Sequence, residues 1–186
     1  MKKLLYTLLA VSIIFSACEE DTPLPAPNNN NNSALAIGDT HQGGIIFYLD
    51  GNGGGLIAAL TDQGSDVLWG CEEISISGAD GTAIGTGNQN TIDIESGCTT
   101  GGIAADICAN LTLGGYSDWF LPSKDELNEM YVNLHQQGLG DFNNYNYWSS
   151  TEFDGGKAWF QDFIDGVQAI FDKNYGTFYV RAVRAF

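Results

Sequence analysis

The four cysteines are the residues whose positions most directly indicate a chemical role. Cys18 follows two small residues, Ser16 and Ala17, behind a basic start and an apolar run. This order resembles a lipobox, where a diacylglyceryl group is added to the cysteine thiol before cleavage. It predicts a signal peptide over residues 1–17 and a lipid anchor at Cys18. An ordinary secretory signal with an incidental cysteine is the alternative.

The segments around this cysteine indicate where the protein is sent. The apolar run, residues 4–15, is too short to cross ~30 Å of hydrocarbon as a helix. The acidic run at residues 19–21 resembles the export signal of Bacteroides-type surface lipoproteins; a solvated linker is the alternative. The Pro- and Asn-rich composition of residues 18–36 predicts a disordered tether. We therefore expect an outer-membrane lipoprotein, exposed at the cell surface, that contacts the membrane through its lipid alone.

Three cysteines remain for the folded domain, so an oxidising compartment allows one disulfide and leaves one thiol. Cys71 and Cys98 both lie in glycine-rich stretches, and we predict that they pair. Cys108 lies on the apolar face of a predicted helix, which favours a buried, inert thiol. A bridge between Cys98 and Cys108 is the alternative. The spacings match no zinc pattern, so we predict no metal site and no cofactor.

Calcium is the one ion whose use the sequence leaves open. Asp50 and Asn52 stand two residues apart in a glycine-rich loop, as ligands do in a calcium loop. However, Thr61 occupies the position where such a loop carries its acidic twelfth residue. Turn chemistry explains the loop without calcium.

No catalytic residue is predicted, and we expect that the protein is not an enzyme. Ser149 and Ser150 have no histidine nearby in sequence and no G-x-S-x-G motif, which disfavours a hydrolase triad. Acidic residues are plentiful, but no spacing marks a carboxylate pair for glycoside hydrolysis. A polysaccharide-acting enzyme is thus the least favoured of three hypotheses, below a binding protein and a structural protein. It requires a pocket with convergent carboxylates.

The chain is strongly acidic, with 7 Lys and Arg against 23 Asp and Glu among 186 residues. Cleavage would remove Lys2 and Lys3, which changes the formal charge from −16 to −18. Such a surface should repel nucleic acid, anionic lipid and sulfated polysaccharide. It suits neutral sugars, cationic partners or calcium. Nothing in the sequence indicates the oligomeric state.

Residues 37–186 have the length of a single domain. Two short helices are predicted in the middle, at residues 90–96 and 102–111. Antiparallel strands are predicted at both ends of the domain, and we expect the terminal strands to pair. The fold class is therefore α+β. The predicted strands span residues 44–49, 56–60, 145–151, 157–164, 167–171 and 177–186, with hairpin turns at residues 50–55 and 165–166.

The most clearly predicted helix begins after Pro122. Ser123 and Glu126 have the spacing of a capping box, in which each side chain accepts the other residue's backbone N–H. A ligand-facing acidic turn is the alternative for these residues. The helix carries an apolar stripe at helical spacing and ends at a glycine, which identifies its buried face. The stripe and the final glycine are Leu127, Met130, Tyr131, Leu134 and Gly138.

The large and charged side chains around this helix are expected to be structural. Trp119 and Trp148 are predicted to lie in the core, because a buried tryptophan removes a large apolar area from water. Arg181 and Arg184 are three residues apart on the last predicted strand and should face opposite sides. One should pair with an acid near the capping box, such as Asp118 or Asp125, and the other should face solvent.

An aromatic and asparagine-rich region is predicted to bind a ligand. Aromatic rings offer stacking faces and amides offer hydrogen bonds, both of which suit a neutral sugar. Packing within strands is the alternative for these aromatics. The predicted ligand-binding residues are Asn144, Tyr145, Asn146, Tyr147, Phe153, Asp154 and Trp159.

Four motifs, taken in order, resemble one known family. They are GYSDWFLPSKDELNEMY at 115–131, YWSSTE at 147–152, AW at 158–159 followed by DG at 165–166, and VRAVR at 180–184. Together they resemble the Lcl C-terminal domain family, named for the end domain of a collagen-like bacterial adhesin. The resemblance covers about residues 37–186. This region also resembles the wider C-type-lectin-like fold.

The resemblance implies a surface domain that binds a partner. The named adhesin binds sulfated glycosaminoglycan through a basic surface, and the charge of −18 disfavours that ligand class here. We therefore expect a cell-surface lipoprotein whose domain recognises a glycan or a protein partner in adhesion. The alternative is a structural protein of the envelope or of a surface appendage, which predicts stable self-association and little binding of free ligand.

Overall fold

A computed structural model describes residues 34–186. The predicted signal peptide at 1–17, the predicted lipid anchor Cys18 and most of the predicted tether at 18–36 lie outside the described residues. Within the described part, no helix has both the length and the apolar character needed to cross a membrane. Leu35–Phe186 form one compact unit.

The first sheet joins the two ends of this unit. Its strand order is β1-β2-β3-β9, and all neighbouring strands are antiparallel. Asp50 Oδ1 accepts the backbone N–H groups of Asn52 and Gly54, which closes the predicted turn between β2 and β3. The pairing of β3 with β9 confirms the expected contact between terminal strands. The strands are β1 (Thr40–His41), β2 (Gly44–Leu49), β3 (Gly55–Ala59) and β9 (Val183–Ala185).

The second sheet has the order β4-β8-β5-β6-β7, so that β7 forms one edge. Its pairs are antiparallel except for β5 with β8, which run parallel. Gly166 has a φ of +81°, a value that glycine adopts readily, and it forms the predicted turn before β7. The strands are β4 (Gly64–Val67), β5 (Asn146–Glu152), β6 (Lys157–Asp162), β7 (Gln168–Asp172) and β8 (Phe178–Val180).

Three α-helices lie between the strands, as predicted, and the fold is α+β. They are α1 (Gly87–Gly97), α2 (Ala104–Ala109) and α3 (Lys124–Asn133). The capping box of α3 is present: Ser123 Oγ accepts the Glu126 N–H, and Glu126 Oε2 accepts the Ser123 N–H.

Two apolar clusters form the core. The first contains Trp69, Trp119 and Trp148 together with buried residues of α1 and α2. The second lies beneath α3 and contains the predicted stripe of that helix, packed against Phe47 and Phe163. The predictions for Trp119, Trp148 and the α3 stripe are therefore confirmed.

The last predicted strand, residues 177–186, is in fact two strands that belong to different sheets. The chain crosses from β8 to β9 at Arg181, whose side chain is buried. Its Nε donates to Asp62 Oδ1 at 2.7 Å, and its Nη1 donates to the carbonyl oxygens of Ala59 and Gly140. The prediction that one arginine faces solvent is wrong, because a break between sheets needs a donor group that satisfies several carbonyls at once.

The prediction that one of the two arginines pairs with an acid near the capping box is confirmed, since Arg184 Nε donates to a carboxylate oxygen of Asp118. The predicted disulfide is also present, between Cys71 and Cys98. Cys108 is a free, buried cysteine on α2. Burial raises the pKa of the Cys108 thiol, which disfavours the reactive thiolate.

Candidate functional site

The predicted ligand-binding residues separate into two groups at opposite ends of β5. Residues 144–146 lie at its start, and Phe153 and Asp154 follow its end. Six residue steps along a strand at about 3.3 Å each place these ends ~20 Å apart. The seven predicted residues therefore do not form one site.

Tyr147 belongs to neither surface group, because its side chain is fully buried. Its hydroxyl donates to Asp62 Oδ2 at 3.0 Å and accepts the Asn143 N–H at 2.9 Å. Burial, and then the Asp62 carboxylate, raise the pKa of this phenol. The prediction of Tyr147 as a ligand contact is wrong; the residue holds the loop before β5 against the Asp62–Arg181 pair.

Tyr145 is the exposed aromatic residue at the start of β5, with 57% of its surface accessible. Its ring stacks on Tyr179 at 5.2 Å between centroids. Asn144 is exposed and Asn146 is half-buried beside it. This end offers one stacked pair with amides nearby, and among the described residues no lysine or arginine forms a cation–π contact with either ring.

A second aromatic surface follows the end of β5, and we call it the aromatic platform: Phe153, Trp159, Lys124, Lys157 and Ile170. Phe153 is 53% exposed and meets Trp159 edge to face at 6.1 Å. Lys124 Nζ lies 4.5 Å from the centroid of the Trp159 ring, within cation–π range. Three elements thus contribute to one surface.

The sheet fixes the positions of these side chains. Lys157 and Trp159 are two residues apart on β6, so their side chains lie on the same face of the sheet. Ile170 of β7 lies directly opposite Trp159. The Phe153 N–H donates to the Lys157 carbonyl in the turn between β5 and β6. Asp154, also predicted as a ligand contact, uses Oδ1 to accept the Gly156 N–H in that turn.

Both lysines of the platform are distinguished by their lack of a salt bridge. The residues from 34 onward contain five Lys and Arg side chains. Three of these cations bind carboxylates elsewhere: Lys173, Arg181 and Arg184. Within the described part of the chain, the two lysines that form no salt bridge are those of the platform. From residue 34 onward, this strongly acidic protein therefore carries its cations without salt bridges on one aromatic surface.

The sequence does not identify Lys124 as a platform residue, because its neighbours indicate only the first turn of a helix. The Gln168 side chain donates to the Lys124 carbonyl at 2.7 Å, which fixes the first turn of α3 over β6 and β7. This contact joins residues 44 positions apart in sequence. No local pattern reveals it.

A separate cleft of about 280 Å³ lies beside α1. Its lining includes Asn88, Ile92 and Glu95 of α1, and Asp118 and Trp119 of a loop. The helical spacing of the first three residues could have indicated a shared face, but their loop partners could not be predicted.

The two carboxyl groups of the cleft are electrostatically different. Partial burial, and then Asp106, raise the pKa of Glu95. The hydrogen bond from Arg184 lowers the pKa of Asp118. Because Asp118 is already bound by a guanidinium, Glu95 is the cleft carboxylate without a salt bridge among the described residues. Nowhere between residues 34 and 186 do three or more His, Cys, Asp or Glu residues group so that they could hold a metal ion.

The platform and the cleft lie within a region of recognised family sequence. The family model of the Lcl C-terminal domain matches residues 58–184, which include every residue of both surfaces. A search of curated proteins gives no match. Since the matched region is well over half of the chain, this protein belongs to the Lcl C-terminal domain family.

Proposed function

We propose that this protein is a lipid-anchored surface lipoprotein whose Lcl C-terminal domain recognises a neutral glycan in adhesion, and that the glycan binds on the aromatic platform. The observation that carries the proposal is the pair formed by the exposed Phe153 ring and the half-buried Trp159 ring, flanked by two lysines without salt bridges. The proposal assigns no catalytic reaction to the domain.

The chemistry of the platform suits a sugar. One face of a pyranose ring is lined with C–H groups and packs against an aromatic ring, while its hydroxyls need hydrogen-bond partners. The ammonium groups of Lys124 and Lys157 each provide three donors for such hydroxyls. Phe153 and Trp159 provide the apolar contact, and a two-χ aromatic side chain loses little entropy when a ligand fixes it.

The rigidity of the platform supports recognition rather than incidental contact. Trp159 lies on β6, which is paired on both sides, by β5 and by β7. Lys124 is fixed at the first turn of α3, where its backbone N–H donates to Thr151 Oγ1. A preformed surface avoids much of the ordering cost that binding would otherwise impose.

The surface location is supported by the N-terminal sequence. The lipobox-like ending at Cys18 and the acidic run behind it would place the domain outside the cell, where it meets foreign molecules. A domain held by a tether of 19 residues can reach a neighbouring surface without leaving the membrane.

A glycan array followed by calorimetry on the best hit tests this proposal. The mature chain would carry Cys18→Ser, so that it remains free of lipid. We expect Phe153→Ala to weaken binding about tenfold, which corresponds to roughly 1.4 kcal/mol of lost contact. Tyr145→Ala is the matched control, because it removes an equally exposed aromatic ring at the other end of β5.

The variants also locate the site. Equal losses from Phe153→Ala and Tyr145→Ala would contradict the platform as the binding surface. Folded protein that gives no signal on the array would contradict glycan binding altogether. A pull-down that recovers a protein partner, while the array remains silent, would indicate protein recognition instead.

A further inference from the structure

The strand β7 is an open sheet edge whose backbone groups are available for pairing. The Asp162 N–H donates to the Val167 carbonyl, and the Lys173 N–H donates to the Gly156 carbonyl. The backbone N–H and C=O groups of successive residues in a strand point to opposite sides. Since Val167 and Lys173 bond to β6, the other odd-numbered residues of this segment also point toward β6. The N–H and C=O groups of Gln168, Ile170 and Asp172 therefore point away from the sheet. In the described part of the chain no further strand pairs with them; the Asp172 carbonyl accepts the Tyr175 N–H at 3.0 Å and keeps a second lone pair.

We propose that β7 pairs with β7 of a second copy of this chain, antiparallel, with the two-fold axis at Ile170. This register aligns all five residues of the strand with their equivalents. It also uses all three outward-facing residues in hydrogen-bonded pairs, which gives six backbone hydrogen bonds across the axis. The two second sheets then join into one continuous sheet.

The side chains of the strand are complementary to themselves in this register. Gln168 lies opposite Asp172 of the partner subunit, so a neutral side chain faces a charged one; the Gln168 Nε2 donates within its own copy, to the Lys124 carbonyl and to Gln161 Oε1. Ala169 lies opposite Phe171 of the partner subunit, so a small residue faces a large one. Ile170 meets Ile170 of the partner subunit at the axis. No like charges face each other, and the apolar pairs at and beside the axis stabilise a sheet.

The edge has few of the features that keep edge strands apart. β7 contains no proline, no lysine and no bulge, and its pairing with β6 is continuous over all five residues. Exposed apolar side chains surround it: Val167, Phe171 and Tyr175. The burial of these groups favours association.

Local charge also permits a second copy to approach. The protein as a whole is acidic, and like charge repels two copies at a distance. At this edge, however, Lys157 lies directly opposite Asp172 in the sheet, and Lys124 lies nearby over Trp159. The described lysines without salt bridges thus lie beside the strand that would pair.

The dimer would place two aromatic platforms on one face of the joined sheet. Trp159 and Ile170 of each copy would form a continuous row across the axis. The two Trp159 positions would be three strand spacings apart, or ~14 Å. This consequence rests on the proposed glycan binding, whereas the pairing of β7 does not.

Light scattering coupled to size exclusion and sedimentation over a range of concentrations tests the pairing. The sample is the mature chain with Cys18→Ser, without any glycan. We expect a dimer for this protein and a monomer for Ile170→Pro, because the Ile170 N–H points outward and a proline there removes only bonds across the axis. Ile170→Lys should raise the dimer dissociation constant at least ~100-fold, since it places two like charges at the axis.

Ile92→Lys is the matched control, because Ile92 is an exposed isoleucine on α1 and takes no part in the sheet that contains β7. It should leave the dimer intact. A parent chain that stays monomeric at every concentration overturns the proposal, and so does a dimer that survives Ile170→Lys. If Ile170→Pro fails to fold, Ile170→Lys still tests whether β7 forms the dimer contact. Because no glycan is present, failure here leaves glycan binding by a monomer unaffected, and a silent array leaves the dimer unaffected.

Discussion

A buried ion pair behind the aromatic platform allows a quantitative test of the fold. Lys173 Nζ donates to Glu152 Oε1 at 2.5 Å and to the Ile74 carbonyl at 2.8 Å. It also lies 4.6 Å from the centroid of the Trp69 ring. Glu152 in turn accepts the Ile76 N–H. The pair joins the end of β5 to the chain that follows β7, on either side of the platform.

Lys173→Met should destabilise the protein strongly, because it leaves the Glu152 carboxylate buried without a counter-charge. Breaking one partner of such a pair costs about 3–5 kcal/mol, a large part of the roughly 5–15 kcal/mol that stabilises a typical domain. With a urea dependence near ~2 kcal/mol per M, the unfolding midpoint should fall by ~2 M. The double variant Glu152→Gln with Lys173→Met removes both charges and should be more stable than Lys173→Met alone.

Urea unfolding followed by tryptophan fluorescence and circular dichroism measures these effects. Lys157→Met is the matched control, since it removes an exposed lysine without a salt bridge and should change stability by less than about 0.5 kcal/mol. If Lys173→Met behaves like Lys157→Met, the ion pair does not hold these segments together. A double variant less stable than Lys173→Met would show that packing, rather than the uncompensated charge, causes the loss.

Three further predictions concern other parts of the molecule. Glu95→Gln should make unfolding free energy less dependent on pH, measured by urea midpoints at acidic and neutral pH. Replacing Cys71 and Cys98 by Ser should lower the free energy of unfolding by about 3.5 kcal/mol, because the bridge spans 27 residues of sequence and constrains the unfolded chain. Cys18→Ala should abolish incorporation of labelled fatty acid and release the protein from the membrane fraction of its host.

The sign of the Glu95 effect follows from the cause of its shift. Burial and Asp106 raise the pKa of Glu95, so the folded state binds this proton more tightly than the unfolded chain does. Its stabilising contribution is present at low pH and is lost as the pH rises through the raised value. The same pH dependence in Glu95→Gln as in the parent chain would contradict this.

The disulfide and the lipid anchor can each be contradicted by a specific result. If the variant without the Cys71–Cys98 bridge is as stable as the parent, the loop between these two positions is already restricted in the unfolded chain. Fatty-acid labelling that persists in Cys18→Ala would place the lipid on another residue. Membrane release without loss of labelling would separate anchoring from acylation.

Features that depend on neighbouring residues in sequence were predictable here. The capping box at Ser123 and Glu126 needs only a spacing of three residues, and it is present with both hydrogen bonds. The second use of Glu126 was not predictable: its Oε1 accepts the Gly85 N–H, 41 residues earlier. The carboxylate thereby fixes a glycine-rich loop to α3, which the sequence alone could not show.

The predicted binding residues also depend on contacts that the local sequence does not show. Tyr145 and Tyr147 are alike in sequence context, but β5 begins between them, and only Tyr147 is inserted into the core. The prediction that one arginine of the last strand faces solvent failed for a related reason. Residues 177–186 look like one strand, and the switch between sheets at Arg181 depends on carbonyls of residues 40 or more positions away.

The charge distribution changes the argument about ligands that composition first suggested. A net charge of −16, or −18 if residues 1–17 are removed, predicts repulsion from acidic ligands, but net charge describes the field at a distance. At contact distance the uncommitted side chains matter, and the described cations without salt bridges are Lys124 and Lys157, both on the platform. A ligand that reaches the platform therefore meets two ammonium groups without salt bridges, with the exposed carboxylates of Asp154 and Asp172 at the border. Its binding should depend weakly on salt if it is a neutral sugar, whereas strong weakening by salt would indicate that the lysines select an acidic one.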